Sequence, residues 1–137
     1  MTREQIEERI ASFHELAPGA ICELIPFTLV SLTDDSATFR CTTQYWMRNT
    51  FGALHGGMST TILDQAMSLV AHCVKKGEGT TPCIEMQVSF HRPIAPCEEA
   101  EVVVRTLSVT KSLIRLIAEL RQYGKLCVSA TGTYFQK

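Results

Sequence analysis

Apolar residues recur at three- and four-residue steps near the start of the chain. Ile6, Ile10, Phe13 and Leu16 share one side, with Glu4, Glu7, Glu8 and Arg9 on the others. That period predicts an amphipathic helix over residues 3–16. Thr2, with Gln5 three residues on, is a capping-box signature, and Pro18-Gly19 stops the helix. Residues 20–44 predict two strands. The stretch 25–32 is apolar and β-branched, 33–36 is a turn by composition, and 37–43 continues as a strand. Residues 45–54 follow no period. Over 56–75 the pattern changes. Met58, Ile62, Ala66, Leu69 and Cys73 form a stripe, and Met67, Val70 and Ala71 spread the apolar character almost all round. A helix of that kind is buried, and Gly77-Glu78-Gly79 ends it.

From residue 80 the period is two. Ile84, Met86, Val88 and Phe90 alternate with Cys83, Glu85, Gln87, Ser89 and His91, until Pro93 and Pro96 close the strand. Three more strands follow at 99–109, 112–122 and 125–136, with short connections that favour antiparallel neighbours. The order is helix, two strands, buried helix, four strands. This is an α+β layer design. A curled antiparallel sheet of five to six strands around a central helix satisfies it, though pattern alone does not single that arrangement out.

With 137 residues, the chain can bury one good core, and a single domain over 1–137 is expected. An apolar share of 45% against 20% charged places it among globular rather than disordered chains. Net charge is −1, and lysine and arginine form no stripe, so neither nucleic acid nor an anionic membrane is an expected partner. The charged opening MTREQIEERI does not fit a secretory signal, and no apolar run nears the ~18 residues of a membrane span. The expected location is cytoplasmic. Six cysteines show neither a C-x-x-C pair nor a zinc spacing, so they read as small apolar fillers.

Two features stand out against this background. Asp64 lies in the middle of an otherwise apolar helix, where a carboxylate is costly unless paired or used. His55-Gly56-Gly57 opens the same helix, where N–H groups lack internal partners and carry the positive end of the dipole. The run Asn49-Thr50-Phe51-Gly52-Ala53-Leu54-His55-Gly56-Gly57, with Thr61-Ile62-Leu63-Asp64 after it, resembles the motif of the phenylacetate-type (PaaI-like) hotdog thioesterases. That motif is Asn, a Gly three later, His-Gly-Gly, and Asp eight residues after the first glycine of the pair. Val88-Ser89-Phe90-His91-Arg92-Pro93 also resembles a strand end of that family. The resemblance extends over residues 15–136. It implies a hotdog fold assembled as a homodimer, often a homotetramer built as a dimer of dimers. It also implies hydrolysis of an acyl-CoA thioester with neither a metal nor an organic cofactor.

Thioester hydrolysis needs stabilisation of the charge developing on the carbonyl oxygen, and activation of water. The amide of Gly56 or Gly57 is a candidate oxyanion donor, and the Asn49 side-chain amide a second. The plainer alternatives are glycines that ease a helix into a crowded core and an asparagine that bonds its own turn. Asp64 is the candidate base, or else the nucleophile; water activation is favoured. Ser68, one turn on, shares its face and can orient the water. Many relatives carry Ser or Thr where this chain has Cys83, a much weaker donor that reads as core filling. His55 is read as fixing its own loop. Arg92, Lys75, Lys76 and Lys111 are candidates for the CoA phosphates, each also readable as ordinary surface charge.

Gly56 and Asp64 are eight residues apart on one helix, roughly 12 Å along its axis. A single carbonyl cannot touch both, so a shared reaction requires them to come from different chains. Two antiparallel copies of the helix in a two-fold dimer would form two such sites. The competing functions are a hotdog hydratase or dehydratase, against which Asp64 argues, and a non-catalytic acyl-CoA-binding domain. Tyr45, Trp46, Met47 and Phe51 are candidates for an acyl or aryl pocket, and equally for the core or a dimer interface.

Overall fold

A computed structural model describes residues 1–137. Helix α1 (Arg3–Leu16) starts in a capping box. Thr2 Oγ1 accepts from the Gln5 N–H at 3.2 Å, while Gln5 Oε1 accepts from the Thr2 N–H at 2.8 Å. Of its predicted stripe only Ile6 is buried. Ile10 and Phe13 are half-buried, and Leu16 is exposed. A four-residue helix α2 (Ile21–Leu24) replaces the start of the expected first strand, and β1 begins later, at Thr28–Leu32. Pro26 has no N–H for a ladder, so Ile25 and Phe27 enter the core before strand pairing starts.

Strand β2 (Ser36–Thr42) leads through a 3₁₀ turn (Tyr45–Met47) to α3 (Gly56–Val74). Strands β3 (Cys83–Phe90), β4 (Glu99–Val109), β5 (Leu113–Gln122) and β6 (Lys125–Phe135) follow. All pairs are antiparallel, in the order β1-β2-β4-β5-β6-β3. The β5–β6 hairpin closes with two residues, Tyr123 (φ 54°) and Gly124 (φ 73°). Positive φ at both is the turn whose twist matches the flanking strands.

The sheet curls around α3, which touches β3, β4, β5 and β6. This is the hotdog fold. Ile62, Leu63, Ala66, Met67, Leu69, Val70 and Ala71 of α3 are all buried. They meet Phe39 of β2, Val102 and Val104 of β4, Leu116 and Leu120 of β5 and Val128 of β6 in one core. A helix with an apolar surface nearly all round can be enclosed this way at a favourable ~25 cal/mol per Å² of apolar surface. Strand β3 is the exception. It lies at the sheet edge, and Ile84 and Phe90 are each 58% exposed.

Candidate active site

The loop entering α3 is built on Asn49. Its Oδ1 accepts from the N–H of Phe51 at 2.9 Å and of Ala53 at 3.1 Å, while Gly52 takes φ +86°, a conformation that suits glycine. The His55 N–H donates to Met47 O at 2.8 Å, and the Leu54 N–H to Ile94 O at 2.8 Å. Gln122, buried at the end of β5, grips Ala95 by both N–H (2.8 Å) and carbonyl (3.0 Å). The end of the β5–β6 hairpin thus holds the segment after β3 against the Asn49 loop. Between them opens a cleft of about 360 Å³, lined by Asn49, Gly56, Phe90 and Arg92 among others.

At the head of α3 the ring of His55 caps the helix, its Nδ1 accepting from the Gly57 N–H at 3.0 Å. Gly57, expected alongside Gly56 as an oxyanion donor, therefore has its N–H committed. The Gly56 N–H donates to no protein acceptor. A Cβ on Gly56 would lie 3.2 Å from Phe90 Cε1, tighter than side chains normally pack, so glycine keeps this approach open. Asn49 is divided in function. Its oxygen fixes the turn, as the plainer reading had it, and its NH₂, without a protein partner, is left as the donor.

Asp64 belongs to a second cluster, two turns along α3. The carboxyl is half-buried in the single chain rather than enclosed. Its Oδ1 accepts from Tyr134 Oη at 2.8 Å and from Ser68 Oγ at 3.4 Å. Tyr134, on β6, is fully buried, and sequence reasoning missed it. Burial first, then the charge of Asp64, push its hydroxyl far above the ordinary phenol range, so it stays a proton donor.

Cys83, exposed on the edge strand rather than filling the core as expected, also joins this cluster. Strict alternation put it on the face opposite Met86. A β-bulge between Cys83 and Glu85 resets the register, so Cys83 sits opposite Tyr134. Burial first, then the Asp64 carboxylate, raise its thiol above the ordinary value. A protonated thiol is a weak donor and a poor nucleophile.

Asp64 does not line the cleft that holds Asn49, Gly56 and Arg92. Lys75 and Lys76 lie at the far end of α3, with Lys75 Nζ on Gly79 O at 2.5 Å and Lys76 Nζ on Val109 O at 3.5 Å. Lys111 is exposed between β4 and β5. Another cleft, of about 410 Å³, lies between α1 and the last turns of α3 beside Arg9, His72 and Lys75, and touches neither cluster. No three His, Cys, Asp or Glu side chains converge to hold a metal. No helix is long and apolar enough to cross a membrane.

Residues 51–128 match the family model described as the thioesterase superfamily. No curated protein matches the chain. Among solved structures, thioesterase superfamily member 2 of Mus musculus is 20% identical with a TM-score of 0.78, over 98% of each chain. A phenylacetic acid degradation-related protein of Ralstonia eutropha JMP134 is 17% identical with a TM-score of 0.79, over 93% of this chain and 98% of its own. A Streptococcus mutans UA159 protein, smu.793, bound to acetyl CoA, is 17% identical with a TM-score of 0.71, over 80% of this chain and 86% of its own. At these identities the likeness is one of fold.

Proposed function

Because the chain belongs to the thioesterase superfamily, we propose that it hydrolyses an acyl- or aryl-CoA thioester to free acid and CoA, in a site shared between two subunits. The Gly56 N–H and the Asn49 NH₂ of one subunit take the developing oxyanion. Asp64 of the other deprotonates the attacking water, with Ser68 beside it. Arg92, on the rim of the Gly56 cleft, meets a CoA phosphate, for which a guanidinium is well shaped. His55 holds the backbone at Gly57, and Cys83 packs beside the carboxylate.

One observation carries this reading. On a single helix, an unpartnered N–H in an open cleft and a hydroxyl-held carboxylate stand eight residues apart, too far for one carbonyl. The free edge supports the assembly. Strand β3 runs eight residues without proline or lysine, and an unprotected edge of that kind is a template for pairing. Two β3 edges joined antiparallel would bring two α3 helices alongside in opposite directions, each Gly56 towards the other's Asp64. A homodimer is then the working unit, and a dimer of dimers its extension. The structure of smu.793 with acetyl CoA supports a CoA thioester as substrate. The proposed setting is the cytoplasm.

The test is thiol release from a panel of acyl-CoAs, short to long and aromatic, by the protein and by Asp64→Ala. Turnover of some member, with a loss of about 10²-fold or more in the variant, is the expected result for a positioned acid–base group. A folded dimer that binds acyl-CoA but releases no thiol from any member would replace the hydrolase with a binding domain.

A further inference from the structure

Asp64 presents its two oxygens unequally. Oδ1 takes the Tyr134 hydroxyl at 2.8 Å and the Ser68 hydroxyl at 3.4 Å, whereas Oδ2 takes no hydrogen bond from the chain. The Tyr134 ring is fully buried and firmly seated. It lies over Gly132, where a Cβ would come within 2.9 Å of Tyr134 Cε2 and 3.1 Å of Met67 Sδ. Its hydroxyl also lies 3.4 Å from the Asp64 backbone oxygen. A phenol on a central strand, clamped by the core, is a stiffer mount than a serine on the same helix as its partner. Aspartate has only two side-chain torsions, so one short bond to Oδ1 fixes the direction of Oδ2.

Resting on the hydrolase reading, we propose that Tyr134 is a positioning residue for Asp64. Its hydroxyl holds Oδ1, so that Oδ2 is the oxygen that takes the proton from water. A hydroxyl that donates to a carboxylate stabilises its ionised form, so loss of the donor is a change that a pH profile reads. Burial and the neighbouring carboxylate keep the phenol protonated, so it serves as a fixed donor and does not relay the proton.

Tyr134→Phe removes one oxygen and keeps the ring on Gly132 and Met67, so the variant is expected to fold. Two readings are taken together. One is the pH profile of kcat and KM for thiol release from the best acyl-CoA. The other is the ¹³C-detected titration of the Asp64 carboxyl, which needs no turnover. Loss of a bond to a charged group is expected to lower kcat about 10- to 100-fold with KM nearly unchanged. The acid limb and the Asp64 titration should both move to higher pH. An active parent whose variant keeps kcat, acid limb and titration unmoved overturns the inference alone. A fall in kcat with limb and titration unmoved marks damaged packing and also overturns it. A parent that hydrolyses no thioester while the titration still shifts sinks the hydrolase reading, and leaves Tyr134 as a purely structural anchor.

Discussion

Gly132→Ala should destabilise the protein and disturb Asp64 at a distance. Gly132 lies in the middle of β6, paired with Met86 on one side and Leu116 on the other. Replacing glycine with alanine in a strand interior ordinarily stabilises by about 0.5–1 kcal/mol. Here the new Cβ would sit 2.9 Å from Tyr134 Cε2 and 3.1 Å from Met67 Sδ. Met67 is flexible and can yield, but the ring is fully buried and must move about 0.5 Å to reach ordinary contact, ~3.4 Å or more. Overpacking costs about 1–3 kcal/mol, and a fully buried ring with no free space puts this clash in the upper part, about 2–3 kcal/mol, so even against a backbone gain of about 1 kcal/mol a net loss of about 1–2 kcal/mol remains. For a chain this long the unfolding entropy is about 290 cal/mol/K, so the loss corresponds to a Tm lower by roughly 3–7 °C. The same displacement stretches the 2.8 Å bond from Tyr134 to Asp64, and thiol release should fall about tenfold. Melts at one fixed protein concentration, beside the rate assay, read both. A variant with Tm within about 1 °C of the parent, well inside the predicted shift, and with full activity would refute the tight seat.

Two other perturbations separate assembly from local chemistry. The His91 N–H bonds Cys127 O, and donors alternate along an antiparallel ladder, so the Val88 N–H points away from β6. Val88→Pro should therefore spare the β3·β6 ladder, block edge pairing, and lower the mass seen by light scattering from twice the chain to once, with loss of hydrolysis. A dimer that survives the change places the interface elsewhere. His72 is held below the ordinary histidine value by burial first, then by Arg9 and Lys75. Its unfolded state therefore binds more protons as pH falls below its usual ~6.5, and the stability present above that pH is lost in acid. His72→Gln should flatten the fall in Tm between about pH 7 and pH 5, and a fall as steep as the parent's would show that other groups drive it.

The α+β layer design was largely legible because its strongest signals are local, whereas the hotdog arrangement itself came from the resemblance of the Asn49–Asp64 stretch to a family motif. A helix apolar nearly all round must be enclosed, and long period-two segments joined by short turns must pair with their neighbours. The membership of the second cluster was only partly legible. Asp64 and Ser68 share a helix face by spacing alone. Tyr134 follows Val128, Ala130 and Gly132 on the inward parity of β6, and a buried tyrosine hydroxyl usually finds a partner. That signal was available, and the polar mid-helix Asp64 was the natural partner to seek. The family likeness marked the position of Cys83, but its face was not legible, because a bulge that reverses it depends on how β3 seats against β6. Nor was the division between the two glycines. Which N–H remains free depends on the rotamer of His55, and which atoms of Asn49 remain free depends on the closure of its loop. Sequence alone determined the long elements, though not the short helix α2, together with the helix that had to be buried and the distance along it between the Gly56 amide and the Asp64 carboxylate, because these follow from periodicity and the rise of a helix. Tertiary structure alone decided which hydrogen bonds are already spent, since that depends on contacts between residues as far apart in the chain as Asp64 and Tyr134.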